Sequence, residues 1–101
     1  MGKYKMVVFT TPVEGKETEY NDWYNGPHVK EMVQTKGFTG VKRLRLKQAM
    51  GDHDTYPYLA LYDIEADDLQ EVFDDMAAKR ESRTATDTVA PGGYRAIYEE
   101  L

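Results

Sequence analysis

A chain of 101 residues is long enough for one small domain and too short for a separate cofactor-binding domain. It contains no cysteine, which excludes disulfides, thiolate nucleophiles and zinc–thiolate or iron–sulfur sites. Its formal net charge is -5 and its basic residues are scattered, so we expect no nucleic-acid partner.

No apolar stretch approaches the ~20 residues that cross a bilayer, and the N-terminus lacks the apolar core of a signal peptide. The sequence therefore predicts one cytoplasmic domain, residues 1–101, with no membrane partner. A domain of this size buries only roughly 60 to 65 % of its unfolded surface, and an internal pocket reduces its core further. Size alone thus favours oligomerisation.

The first predicted strand spans residues 4–11 and has apolar side chains on both faces, as in a strand that is covered on both sides. A helical pattern begins at Lys16 and halts at residues 25–27, Asn-Gly-Pro. Gly26 suits this stop, because a residue before proline avoids the α region and glycine tolerates positive φ. The helix resumes after the break and ends at Gly37.

Three further strands and a second helix follow. The strands span residues 38–47, 56–64 and 94–98, and the helix begins at Asp67 with a capping-box-like pattern and an apolar stripe on one side. Residues 82–93 form a connection that is long for so small a domain. Such a connection is typical of a lid over a pocket, or of a crossover around the sheet edge.

The predicted order β-α-β-β-α-β is that of an α+β, ferredoxin-like fold, in which both helices cover one face of a four-stranded antiparallel sheet. The other face would then expose more apolar surface than a soluble monomer usually shows. We therefore expect a homodimer whose two sheets pack face to face into an α/β barrel, with a pocket between the sheet and the first helix of each subunit.

The third predicted strand alternates tyrosines with leucines. We expect Leu59 and Leu61 to lie under the helices, and the face with Tyr58 and Tyr62 to meet polar partners or a ligand. The tyrosine hydroxyls would then be available to bind a substrate carbonyl. The alternative is a hydrogen bond at the dimer interface, which we favour for Tyr62.

Residues 19–28, Glu-Tyr-Asn-Asp-Trp-Tyr-Asn-Gly-Pro-His, gather three aromatic side chains with polar tips beside one of the two histidines. Such side chains combine wide apolar faces with a hydrogen-bonding group, as in the wall of a small-molecule pocket. Tyr20, Trp23 and Tyr24 are therefore candidate substrate-binding residues. Because they fall on neighbouring helical positions, at least one of them is expected to be a core residue instead.

The opening strand, residues 19–28 and the third strand, Tyr-Leu-Ala-Leu-Tyr-Asp-Ile-Glu, resemble the dimeric α/β-barrel superfamily, nearest its EthD-like branch. The resemblance spans nearly the whole chain and is most specific in the spacing from Trp23 to His28, with Glu31 after it. Members of that superfamily include polyketide cyclases, monooxygenases without metal or flavin, haem-degrading enzymes and lactone isomerases. The resemblance thus implies a fold and leaves the reaction open.

His28 is the candidate catalytic base. Near the start of a helical segment beside Trp23, it would be partly desolvated and neutral, as a general base must be. Glu31, three residues later, is within reach to hold the orientation of the ring and to stabilise the imidazolium. The alternative is a histidine that caps a broken helix and packs on Trp23.

Arg43 and Arg45 point to one side of the second strand. Either they clamp a substrate carboxylate, or they form an exposed, salt-bridged edge that discourages strand addition, and we favour the edge. Residues 52–54, Asp-His-Asp, are three potential metal ligands, but consecutive loop residues rarely converge on one ion. We predict no metal and no organic cofactor.

The sequence therefore predicts a small-molecule enzyme that acts on an aromatic or polyketide-like substrate by general acid/base chemistry, as a cyclase, isomerase or lyase. His28 would be the base, and the hydroxyl of Tyr58 or Tyr62 would stabilise the oxyanion. A cofactor-independent monooxygenase and a non-catalytic ligand-binding or accessory dimer are the two alternatives.

Overall fold

The computed structural model describes all 101 residues and contains one four-stranded antiparallel sheet, with helices on one of its faces. The strands are β1 (Gly2–Thr10), β2 (Phe38–Arg45), β3 (Tyr58–Ala66) and β4 (Tyr94–Glu99). The helical elements are α1 (Glu17–Trp23), a π-helical turn (Tyr24–His28), α2 (Val29–Met32), α3 (Leu69–Ala78) and a 3-10 turn (Arg80–Ser82). The sheet order is β2-β3-β1-β4, which confirms the predicted ferredoxin-like fold.

Strand β3 forms the centre of the core, because every second residue along it is buried beneath the helices. These residues are Tyr58, Ala60, Tyr62, Ile64 and Ala66. From α1, Tyr20 packs on Tyr58 with ring centroids 5.0 Å apart, and from α3 Val72 and Met76 join the same cluster. Both helices therefore cover the tyrosine face of the sheet.

The prediction that Leu59 and Leu61 lie under the helices is wrong. The period-two alternation makes both faces of β3 apolar, so it does not decide which face meets the helices, and for Tyr58 polar partners are found there. The hydroxyl of Tyr58 donates to Glu17 at 2.6 Å and accepts from Asn21 at 3.0 Å. The leucines consequently point to the opposite side.

That opposite side, here called the open face, carries an apolar row across all four strands. Strand register pairs Leu44 with Leu59, Leu59 with Phe9, and Phe9 with Tyr94. Leu44 and Tyr94 at the two ends of the row are 46 % and 52 % exposed, and Tyr98 nearby is 62 % exposed. The uncovered apolar surface expected from the sequence is therefore present, although leucines and Phe9 rather than the β3 tyrosines form its centre.

The helix does not stop at Gly26. The backbone continues through the π-helical turn, in which the N–H of Val29 donates to the carbonyl of Tyr24, five residues earlier. Gly26 does not adopt positive φ. Pro27 lacks an N–H and its ring clashes with an α-helical carbonyl, so the wider turn accommodates it without ending the helix. The helix ends at Met32, earlier than the predicted end at Gly37, and turns connect it to Gly37, whose φ is +87°.

Helix α3 begins one residue later than predicted, since Asp68 rather than Asp67 is its N-cap and accepts from the N–H of Gln70 at 2.9 Å. Val72 and Met76 on its inner side are buried, whereas Phe73 is 40 % exposed. With 10 residues, α3 is the longest helix.

No helix reaches the length and apolarity that crossing a membrane requires.

The connection before β4 packs against the chain that follows β1. The N–H of Val13 donates to Thr88 at 2.7 Å, and the N–H of Ala90 donates to Thr11 at 2.8 Å. Thr88 is buried. The long segment predicted at residues 82–93 is therefore pinned to the body of the domain, and its first residues reach the helix that contains His28.

Candidate functional site

The π-helical turn places His28 against the aromatic residues that precede it. The rings of His28 and Trp23 stack with centroids 4.1 Å apart and planes at 21°, and the ring of Tyr24 meets His28 edge-on at 4.8 Å. The additional residue in a π-helical turn shifts the following side chains around the helix axis. Trp23, Tyr24 and His28 therefore form one cluster against the sheet.

His28 is neutral at neutral pH. Burial is the main cause that lowers its pKa from 6.5 to about 4. The positive charge of Arg83 lowers this pKa further, Glu31 raises it, and Arg43 has a smaller lowering effect. The Nδ1 atom of His28 is buried and has no hydrogen-bond partner in the protein. It is therefore free to accept or donate a proton toward a small molecule.

We expect the low pKa of His28 to make folding stability depend on pH. The folded-state pKa lies below the unfolded value, so the stabilisation is complete above pH 6.5 and is lost as the pH falls through about 4. Allowing for solvent screening, the loss should be about 1–2 kcal/mol. Urea unfolding at pH 7 and pH 4 measures this loss in the free energy of unfolding. In the His28→Gln variant, the part of the pH dependence that comes from His28 should disappear.

A direct check is an NMR titration of the His28 ring in a His53→Gln background, where it is the only histidine. A midpoint near pH 4 is expected. A midpoint near 6.5 would mean that the ring is hydrated in solution.

Arg43 is not part of an exposed, salt-bridged edge, although β2 is an edge strand. Its guanidinium lies 4.2 Å from the centroid of the Tyr24 ring and just over 5 Å from those of Tyr20 and Tyr58. Its Nη1 donates to side-chain oxygens of Asn21 at 2.9 Å and Asn25 at 2.8 Å. Its Nη2 is buried without a partner. Arg45, two residues later, is exposed, so the favoured edge interpretation is wrong for Arg43.

The four tyrosines of this region divide into two pairs. The hydroxyls of Tyr20 and Tyr58 are engaged, the first with Thr10 and the second with two polar side chains of α1. The hydroxyls of Tyr24 and Tyr62 are buried and lie beside each other, and neither has any other hydrogen-bond partner. Burial raises the pKa of both Tyr24 and Tyr62, so they stay protonated. Of the two predicted catalytic tyrosines, only Tyr62 thus has a free hydroxyl, and it lies away from the open face.

Glu31 does not hold the His28 ring as the sequence suggested. Its carboxylate accepts hydrogen bonds from the N–H of Thr84 at 3.0 Å and from the Thr84 hydroxyl at 3.1 Å. The indole N–H of Trp23 donates to the carbonyl of Thr84 at 3.0 Å. Thr84 therefore ties the segment before β4 to the helix on either side of His28.

We expect Trp23→Phe to loosen this segment while keeping an aromatic ring beside His28. A neutral hydrogen bond contributes about 0.5–1.5 kcal/mol, so amide hydrogen exchange at Thr84 should accelerate by roughly 2- to 10-fold. NMR-detected exchange measures this, with Asp22→Asn on the exposed side of α1 as the control. Unchanged exchange in Trp23→Phe would show that the indole does not hold the segment.

The predicted pocket between the sheet and α1 is closed by these side chains. Five surface clefts are present, and none of them is lined by His28, Tyr24 or Tyr62. The largest, about 460 Å³, lies at the end of the open face beside the apolar row. No group of His, Asp and Glu side chains converges in a way that could hold a metal ion.

Sequence reasoning missed Arg83, Asn21 and Asn25. Arg83 has a buried Nε without a partner, and its Nη2 donates to the carbonyl of Met76 at 2.8 Å. The asparagines are four residues apart on the helix, which places both beside Arg43. That spacing was a visible signal, whereas nothing in the sequence pointed to Arg83 beyond its position in the long connection.

No protein-family model matches the sequence, and no curated protein matches it significantly. Solved structures do match. A dimeric ferredoxin-like protein of unknown function from Jannaschia sp. has a TM-score of 0.67 at 15 % identity, covering 98 % of this chain and all of that one. An EthD family protein from Bacillus halodurans has a TM-score of 0.59 at 14 % sequence identity, and the match covers both chains completely. A proposed monooxygenase from Shewanella loihica has a TM-score of 0.63 at 14 % sequence identity, and the match covers all of this chain and 97 % of that one.

These similarities extend over the whole chain at low identity, so they concern the fold. They confirm the ferredoxin-like fold that the order of strands and helices predicted.

Proposed function

We propose that this protein is a small-molecule enzyme that catalyses proton transfer next to a carbonyl group, without metal or organic cofactor. The observation that supports it most is the grouping of His28 Nδ1 with the neighbouring hydroxyls of Tyr24 and Tyr62, all buried and none bonded to a group outside this set. A buried polar group left unpaired costs about 1–3 kcal/mol. Such groups are typical of a site that is completed by a ligand.

The three groups suit complementary roles. Neutral His28 would accept the proton from the carbon next to the carbonyl, and the hydroxyl of Tyr62 or Tyr24 would donate a hydrogen bond to the resulting enolate oxygen. The enolate then either takes the proton back at another carbon, as in an isomerase, or attacks a second carbonyl, as in a cyclase. The aromatic ring of Trp23 favours a flat, unsaturated substrate.

A pKa of about 4 makes free His28 a weak base. In the reaction, however, an enolate forms beside the imidazolium as the proton moves. An opposite charge within about 4–6 Å stabilises the charged form of a group. The product of the proton transfer would therefore itself strengthen the base.

We also propose that two copies of the chain pack through their open faces. The apolar row from Leu44 to Tyr94 supports this, and so does the fold shared with a protein that is described as dimeric. A contiguous exposed apolar surface is typical of an interface between proteins. The helices and the His28 cluster would then lie on the outside of the barrel.

Hydrogen–deuterium exchange tests the proposed chemistry without knowledge of the full reaction. The protein is incubated in D2O with a panel of aryl methyl ketones and aryl β-keto acids, and loss of the signal from the protons next to the carbonyl is followed by NMR. Exchange well above that of heat-unfolded protein is expected for at least one class. No exchange across the panel contradicts the proposal.

The fold shared with a proposed monooxygenase supports a second candidate, in which the same cluster deprotonates an electron-rich phenol that then reacts with oxygen. Oxygen uptake with phenolic substrates separates this reaction from simple proton transfer. The closed packing around His28 supports a third candidate, a binding or accessory protein without catalysis. This candidate predicts that replacing His28 lowers stability, and that neither the unaltered protein nor the variant has catalytic activity.

A further inference from the structure

Two arginines at the candidate site lack a carboxylate partner. Neither Arg43 nor Arg83 forms a salt bridge, although the chain has a net charge of -5. Two carboxylates of the helical region around His28 are used elsewhere, because Glu17 accepts from Tyr58 and Glu31 accepts from Thr84. Partly buried cations are normally paired. The site therefore has an uncompensated positive charge.

The unpartnered atoms around this charge are predominantly donors. Nη2 of Arg43 and Nε of Arg83 can only donate, and of the neighbouring protonated hydroxyls of Tyr24 and Tyr62 at least one has a proton left to donate. His28 Nδ1 completes the set and can act either way. An ionised carboxylate only accepts, and its two oxygens offer about four lone-pair positions. Its hydrogen-bonding capacity and its charge both match the site.

We propose that the ligand of this site is an organic carboxylate, whose charged group binds between Arg43 and Arg83 while its unsaturated body contacts Trp23 and His28. This deepens the proposed function, on which it rests for the location of the site, by naming the class of substrate. The bound carboxylate also offsets the positive charges of Arg83 and Arg43, which add to the larger effect of burial in lowering the pKa of His28. Substrate binding thus makes the base stronger.

Entry from solvent requires the residues around Arg83 to move, because no surface cleft reaches the cluster. The side chain of Arg83 is attached by one hydrogen bond, from Nη2 to the carbonyl of Met76 at 2.8 Å. Thr84 is held by the indole of Trp23 and the carboxylate of Glu31, through hydrogen bonds that are exposed. Lifting this segment would open the site and withdraw Arg83, and its return over a bound carboxylate would restore both charges around the ligand.

Benzoate and benzamide provide the test, since they have nearly the same shape and differ in charge. We expect calorimetric titration and thermal shift to detect benzoate and not benzamide. Arg43→Gln should weaken benzoate binding by at least ~10-fold, because charge-assisted hydrogen bonds are roughly twice as strong as neutral ones. Arg45→Gln, on the same strand but exposed, is the matched control and should bind benzoate like the unaltered protein. Arg83→Gln should resemble Arg43→Gln.

Equal binding of benzoate and benzamide, or equal weakening by the Arg43 and Arg45 variants, would overturn the carboxylate site. If Arg43→Gln melts far below the unaltered protein, benzoate binding is measured in Arg83→Gln and Arg43→Lys instead. Arg83→Gln should weaken binding, and Arg43→Lys should retain part of it because it keeps the positive charge. Benzoate binding without any deuterium exchange contradicts the proposed reaction and leaves the carboxylate site standing. Deuterium exchange of neutral ketones without benzoate binding contradicts the carboxylate site and leaves the proposed reaction standing.

Discussion

Replacing His28 with alanine is expected to lower the rate of deuterium exchange by ~100-fold or more, the usual contribution of a positioned general base. No other side chain of the cluster can take its place, because Tyr24 and Tyr62 are held protonated and both arginines are permanently charged. The measurement is the initial rate of signal loss with the best substrate of the panel, at pH 7 and matched protein concentration.

Stability should change little in the same variant. The alanine removes a stacking contact with Trp23, but it also removes a buried nitrogen that has no hydrogen-bond partner. These effects oppose one another, so the melting temperature should shift by only a few degrees. His53→Ala, at an exposed histidine, is the control for both readings.

Two outcomes would count against the role of His28. An unchanged exchange rate would remove it from the reaction. A rate that falls only in proportion to the folded fraction would mean that the histidine contributes packing beside Trp23 and takes no part in the reaction. Loss of substrate deuterium exchange in a His28→Ala protein that keeps its full stability would show that His28 acts in catalysis and not only in packing.

Replacing Leu59 with glutamate is expected to convert a dimer into monomers. Leu59 is in the middle of the apolar row, paired on one side with Phe9 and on the other with Leu44. In a two-fold symmetric dimer the change occurs twice, and each buried carboxylate costs several kcal/mol unless it is paired. Light scattering at micromolar concentration should change from about twice the chain mass of 11.6 kDa to that mass itself.

Phe73→Glu is the matched control, since Phe73 is an exposed aromatic residue on the helical side. This variant should stay dimeric. Because Leu59 points away from the core of its own chain, the monomer should keep its circular dichroism spectrum. A Leu59→Glu protein that remains dimeric would place the interface elsewhere, and an unaltered protein that is already monomeric would remove the dimer from the proposal.

The strands and helices of this protein could be predicted because each has a local signal. Alternation of apolar residues marked β3, and the apolar stripe marked α3. The helix break at Gly26 was predicted wrongly because the local preferences of Gly-Pro oppose an α-helix, whereas a π-helical turn satisfies the same residues. Packing of Tyr20 and Tyr24 against the sheet then holds that turn in place.

By itself, the sequence determined the fold class, the presence of a second apolar face and the aromatic segment around His28, since all three follow from residue types at short, regular spacings. Only the tertiary structure decided which face of β3 meets the helices, that Glu31 binds Thr84, and that Arg43 lies unpaired among tyrosine rings. Those outcomes depend on contacts between residues far apart in the chain. Which polar atoms find partners, and which remain without one, is decided when the elements pack.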